Sequence, residues 1–103
     1  MGMTDKQLFV AKVTELLVSL GAEPRQGDEF ILQTRVGRLT LRPIVSQGDG
    51  LGTVWGRFDD LQAARELVPC SPFNGEWFHH YFGRWTVETA LADLLAELQM
   101  VLP

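Results

Sequence analysis

The sequence has one cysteine, Cys70, and two histidines, which are adjacent. A single cysteine excludes an internal disulfide and is typical of a reducing compartment. A zinc site needs about four ligands, usually in close pairs. His79 and His80 cannot both reach one metal, because neighbouring strand side chains point to opposite faces. The sequence therefore predicts neither a disulfide framework nor a metal site.

Long apolar runs and nucleotide-binding motifs are also missing. No segment approaches the roughly 20 apolar residues that a membrane span needs, and the polar N-terminus lacks the order of a signal peptide. The glycine-rich run at 48–52 opens onto a predicted strand, whereas a phosphate loop opens a helix. We therefore expect a cytoplasmic protein with no small-molecule cofactor and no membrane attachment.

The composition is globular, but the charge is unevenly placed. Hydrophobic residues make up 46% and charged residues 21% of the 103 residues, which favours one domain over 1–103. Residues 25–57 carry five arginines against three acids, while residues 58–103 carry seven acids against two arginines. The net charge of −4 makes nucleic acid an unfavoured partner.

Two amphipathic helices are predicted at the ends of the chain. Thr4 and Gln7 have the spacing of a capping box, and the first helix should run over about 5–20 before Gly21. Thr86 should cap the last helix. The apolar stripes consist of Phe9, Val13, Leu16, Leu17 and Leu20 in the first helix, and Val87, Leu91, Leu94, Leu95 and Leu98 in the last.

The middle of the chain predicts strands. Residues 29–33 and 38–42 are β-prone runs around Gly37 and indicate a hairpin, and 53–58 indicate a third strand. Asp59 or Asp60 should cap a short helix through about Val68, and 76–82 should form a last strand of undetermined direction. The predicted fold is α+β, with a four-stranded, mostly antiparallel sheet, helices on one face and the order α-β-β-β-α-β-α.

Residues 70–85 hold six of the ten aromatic residues, both histidines and the cysteine. A thiolate nucleophile would need an imidazole within hydrogen-bond reach of Cys70. A lone cysteine is more often a small buried residue, so we predict no catalytic site. An enzyme with His79 or His80 beside Cys70 is the least favoured alternative.

Strand alternation predicts one sheet face rich in arginine and aromatic residues. These residue types are enriched at protein interfaces. A slip of one residue in the last strand would instead expose Phe78, His80 and Phe82. The predicted partner-binding residues are Arg38, Arg42, Trp55 and Arg57, joined from the last strand by Trp77, His79 and Tyr81.

This face leads us to expect a non-catalytic protein that acts by protein–protein interaction, with pairing of two copies into a homodimer as one version. Two alternatives stay open. Arginine over tryptophan can be local packing without a partner, and the same side chains could stack on bases as a weak single-stranded nucleic-acid binder.

A resemblance is carried by two segments, Trp-Gly-Arg-Phe-Asp-Asp-Leu-Gln-Ala-Ala-Arg at 55–65 and Pro-Phe-Asn-Gly-Glu-Trp-Phe-His-His-Tyr at 72–81. They resemble a pattern in small uncharacterised phage, prophage and plasmid proteins, where a strand ending Arg-Phe-Asp precedes a short helix, an Asn-Pro-aromatic-Ser-Gly-Lys-Trp-like loop and a strand with histidine. The resemblance covers about 53–85 and departs at Ser71, Asn74 and Glu76. It implies a mobile-element setting without a particular chemistry, and within it inhibition of a host defence nuclease is a further alternative.

Overall fold

A computed structural model describes residues 2–67 and 75–103. In this range the chain is α+β, with three α-helices and one five-stranded antiparallel sheet in the strand order β1-β2-β3-β4-β5. In chain order the elements are α1 (Asp5–Ser19), β1 (Glu23–Pro24), β2 (Phe30–Thr34), β3 (Gly37–Val45), β4 (Gly52–Phe58), α2 (Leu61–Leu67), β5 (Glu76–Tyr81) and α3 (Val87–Gln99).

The prediction of four strands is wrong by one, because β1 was missed. β1 has only two residues, and it pairs with β2 through Glu23 opposite Ile31 and Pro24 opposite Phe30. Two residues carry no alternation that a sequence pattern can detect. A proline shortly after a helix is typical of a helix stop, so Pro24 gives no signal for a strand.

The first helix has the predicted limits and cap, and the last helix begins after the predicted cap, Thr86. Thr4 accepts a hydrogen bond from the Gln7 amide at 3.2 Å, and the Gln7 side chain accepts one from the Thr4 amide at 3.0 Å. Thr86 and Thr89 form the same reciprocal cap on α3. Each cap satisfies two amide groups that the helix itself leaves without a partner.

The predicted hairpin is present, but its second strand is longer than expected. β3 continues through Pro43 to Val45, and Pro43 lies opposite Val54 of β4. The pairing of β3 with β2 extends only as far as Leu41, which lies opposite Phe30, and does not reach Pro43. Pro43 is therefore tolerated, because β3 has a neighbour on only one side at that point and the missing amide is not needed there.

The core lies between one face of the sheet and the helices α1 and α3. Phe9, Val13 and Leu17 of α1 are fully buried, as are Leu94 of α3 and Leu39 of β3. The inward stripe of α1 matches the predicted one, whereas in α3 the buried residues are Leu94 and Leu98, as predicted, and Ala90 in place of the predicted Leu95. In the described part of the chain, no helix combines the length and the apolarity that crossing a membrane requires.

Candidate functional site

The sheet face that turns away from α1 and α3, here called the open face, carries arginine and aromatic side chains. Arg42 lies opposite Trp55 in the β3–β4 register, and Trp55 lies opposite Phe78 of β5. The three form one row across three strands. Four of the residues proposed from the sequence lie on this face: Arg38, Arg42, Trp55 and Arg57.

The placement of Trp77, His79 and Tyr81 on the open face is wrong. Trp77 pairs with Gly56 and His79 with Val54, and both partners face the helices. Trp77 is 5% exposed and Tyr81 is 1% exposed. These three side chains therefore belong to the core side of the sheet.

The open face instead carries Phe78 and His80 of β5, followed by Phe82. This is the arrangement expected from a slip of one residue in the last strand. Phe78 and Phe82 are 47% and 46% exposed. Their rings flank His80, with centroid distances of 5.9 Å to Phe78 and 5.3 Å to Phe82. The His80 Nδ1 atom lies 2.9 Å from the Thr53 hydroxyl, which fixes the imidazole on β4.

Space and hydrogen bonding decide which row points inward. Both rows of β5 are aromatic, so hydrophobicity alone does not distinguish them. A Cβ atom on Gly56 would lie 2.6 Å from the Trp77 ring, so the glycine provides the space that the indole fills. The Tyr81 hydroxyl donates to Asp93 of α3 at 2.9 Å, so an inward Tyr81 keeps its polar group satisfied.

The arginines of the open face differ in their partners. The Arg42 Cζ atom lies 5.6 Å from the centre of the Trp55 ring, a cation–π contact. Arg38 Nε lies 3.8 Å from the Asp59 carboxylate, and both side chains are exposed. Among residues 2–67 and 75–103, neither Arg42 nor Arg57 forms an ion pair. The strand register also places Glu23 and Glu76 on this face, with Glu76 opposite Arg57, so the open face carries charges of both signs.

On the opposite side of β5, His79 and Tyr81 face two carboxylates of α3. His79 Nδ1 lies 3.4 Å from Asp93, and His79 Nε2 lies 3.8 Å from Glu97. Burial raises the pKa of Tyr81 well above its ordinary value, and the hydrogen bond to Asp93 and the charges of Asp93 and Glu97 raise it further. The cluster joins β5 to α3 and was not found from the sequence. The signal for it was the spacing of Asp93 and Glu97, four residues apart on one helix face.

The histidines do not share a site. The imidazole of His79 faces α3, while that of His80 is bonded to Thr53 on the other side of the sheet. Cys70 lies outside the described residues. Within those residues, no three histidine, cysteine, aspartate or glutamate side chains are grouped so that they could hold a metal ion.

Comparison of the chain with protein-family models, with curated proteins and with solved structures finds no match.

Proposed function

We propose that this protein acts by binding another protein through its open face, in the cytoplasm and without catalysis. The observation that carries the proposal is the combination of exposed aromatic rings with two arginines that have no ion pair among the described residues. Aromatic and arginine side chains dominate interface energetics, because each buries a large area and keeps a polar group. The proposed contact residues are Arg42, Trp55, Arg57, Phe78, His80 and Phe82.

Arg42, which lies over Trp55 and has no ion pair among the described residues, favours a partner with an acidic group. A second copy of the chain is the alternative occupant of the open face. A mobile-element setting is proposed only on the resemblance of residues 53–85 to phage and plasmid proteins.

Affinity capture from cells of the source organism tests the proposal. The tagged protein should retain a protein that the Trp55→Glu variant loses, because the substitution places a carboxylate in the centre of the open face. Val18→Glu is the matched control, since Val18 is an exposed apolar residue of α1. If no retained protein depends on Trp55, the open face is not a protein-binding surface.

Single-stranded nucleic acid is a second candidate, favoured by the three-ring column of Phe78, His80 and Phe82. Bases stack on such rings, and the arginines could contact phosphate. The net charge of −4 weighs against it. Binding of a fluorescent oligonucleotide that weakens steeply as salt rises, and that Trp55→Glu and Arg42→Ala reduce, would favour this candidate over a protein partner.

A further inference from the structure

We propose that the outer edge of β5 is a docking groove for an extended segment of another protein. The segment presents basic side chains toward α3 and apolar side chains toward the open face. This groove goes beyond the proposed function, because it is a separate strand-pairing site that shares only Phe78 and His80 with the open face.

The two edges of the sheet are built differently. β1 has two residues, Glu23 and Pro24, and shortness, charge and proline are devices that prevent an edge from pairing. β5 has six residues, Glu-Trp-Phe-His-His-Tyr, with no lysine or proline. Within the described residues, no strand lies beyond β5. An edge of this kind is suited to strand addition, in which an extended peptide extends the sheet.

A cavity of about 430 Å³ lies at this edge. Its lining includes Trp77, Phe78 and His79 of β5 together with Glu97 and Met100. Trp77 and His79 point toward the helices, whereas Phe78 points to the open face. A cavity that touches all three must lie at the margin of the strand, where the two faces meet. The edge is therefore a groove between β5 and the end of α3.

The helix side of the groove is acidic. The side chain of Glu97 makes no hydrogen bond among the described residues, and its carboxylate is 3.8 Å from the imidazole of His79. Asp93 lies on the other nitrogen of the same ring. The described residues that line the cavity include no lysine or arginine. Arg35 lies past the end of α3, where its guanidinium donates to the Met100 carbonyl.

This charge selects the occupant. Side chains of an added strand alternate between the two faces, so those on the helix side meet Glu97, which lines the cavity, while those on the other side meet Phe78 and His80. A basic residue suits the first side and an apolar residue the second. Antiparallel pairing of two β5 strands would instead place both α3 helices on the same side, with their acidic groups close together, which disfavours a second copy.

The test uses the full chain and two capped heptapeptides, Thr-Val-Lys-Val-Lys-Val-Thr and Thr-Val-Glu-Val-Glu-Val-Thr, with amide chemical shifts measured by NMR. The lysine peptide should shift the amides of residues 76–81 and bind at least about tenfold tighter than the glutamate peptide. Glu97→Gln keeps the shape of the side chain and should weaken binding of the lysine peptide about fivefold. Glu97→Lys should reverse the preference between the two peptides.

Three outcomes would overturn the proposal: neither peptide shifts the β5 amides, both bind equally, or the free protein is a dimer with these amides already protected. Trp55→Glu should leave binding of the lysine peptide unchanged. Loss of partner capture in that variant, with peptide binding retained, therefore separates the groove from the open face.

Discussion

Tyr81 is the only tyrosine in the chain, and its hydroxyl donates to the Asp93 carboxylate. Burial, followed by this hydrogen bond and the nearby negative charges, raises the pKa of Tyr81. The folded protein should therefore show no tyrosinate absorbance at about pH 10, where a tyrosine in an unfolded chain ionises. A spectrophotometric titration of folded and urea-unfolded protein measures this directly.

The same shift makes the free energy of unfolding depend on pH. Below about pH 10 the hydroxyl is protonated in both states, so the contribution of Tyr81 is fully present. At higher pH the unfolded chain releases a proton that the folded chain retains, so stability falls as pH rises. Tyr81→Phe should remove the decrease in the free energy of unfolding that Tyr81 causes above about pH 10. Asp93→Asn should lower the pKa of Tyr81 in the folded protein. Identical titration of folded and unfolded protein would contradict the burial of Tyr81 against α3.

Gly56 is the second residue whose role can be measured in isolation. An added Cβ would lie 2.6 Å from the Trp77 ring and 3.2 Å from the side chains of Leu39 and Leu41. Gly56→Ala should lower the free energy of unfolding by about 1–3 kcal/mol, because it overfills a packed core. Gly48→Ala is the matched control, since nothing lies within 4 Å of its added Cβ, and should change stability by less than about 0.5 kcal/mol. Equal effects in urea denaturation would be evidence against the packing of Trp77 on Gly56.

The side chains of β5 show where sequence reasoning reached its limit. Alternation predicts two rows but not which row faces inward, because Trp77 and Tyr81 are as aromatic as Phe78 and Phe82. The choice depends on contacts between elements that are distant in sequence, namely the space over Gly56 and the acceptor on Asp93. By contrast, Arg42 and Trp55 could be placed on one face, since β3 and β4 each alternate clearly.

The β5 strand as an element gives a direct test of this register. Trp77 is buried and Phe78 is exposed, although they are neighbours. Trp77→Ala should cost about 3–5 kcal/mol of unfolding free energy or prevent folding, because it leaves a large cavity. Phe78→Ala should cost less than about 1 kcal/mol, as is usual for an exposed site. The reverse order would mean that the strand is shifted by one residue.

Helix α3 depends on its first turn. Thr86 and Thr89 satisfy amides that the helix leaves without acceptors. Thr86→Ala should lower the free energy of unfolding by about 1 kcal/mol. Thr86→Ser should retain most of the stabilisation that the cap provides, because serine offers the same hydroxyl. Equal denaturation midpoints for the two variants would show that the cap contributes nothing.

Local signals account for the elements that were predicted. The capping box at Thr4, the cap at Thr86 and the apolar stripes depend on residues close in sequence, so they can be found in the sequence alone. β1 and the extension of β3 past Pro43 depend on where β2 begins and ends, which is a tertiary relationship. The edge position of β5 is likewise set by sheet order.

The two proposed surfaces present opposite charges at their centres. The open face has Arg42 over Trp55, whereas the cavity at the β5 edge is lined by Glu97. Both proposed surfaces use this division, since one takes acidic groups on the open face and the other takes basic groups at the β5 edge. Charge reversal on one surface should therefore leave the other functional.

Arg42→Glu tests this separation. It should abolish capture of a partner that binds the open face, because it replaces a cation with an anion at the centre of that face. Binding of the lysine peptide at the β5 edge should not weaken. Capture assays and peptide titrations on the same preparation measure both, and a parallel loss would mean that the two surfaces are one site.

The most direct test of the open face is hydrogen exchange of the protein alone and in complex with its captured partner. We expect slower exchange on binding in β3, β4 and β5, at residues 37–45, 52–58 and 76–81, with little change in α1. Protection confined to α1 and α3, with the strands unchanged, would contradict the assignment of the open face as the binding surface.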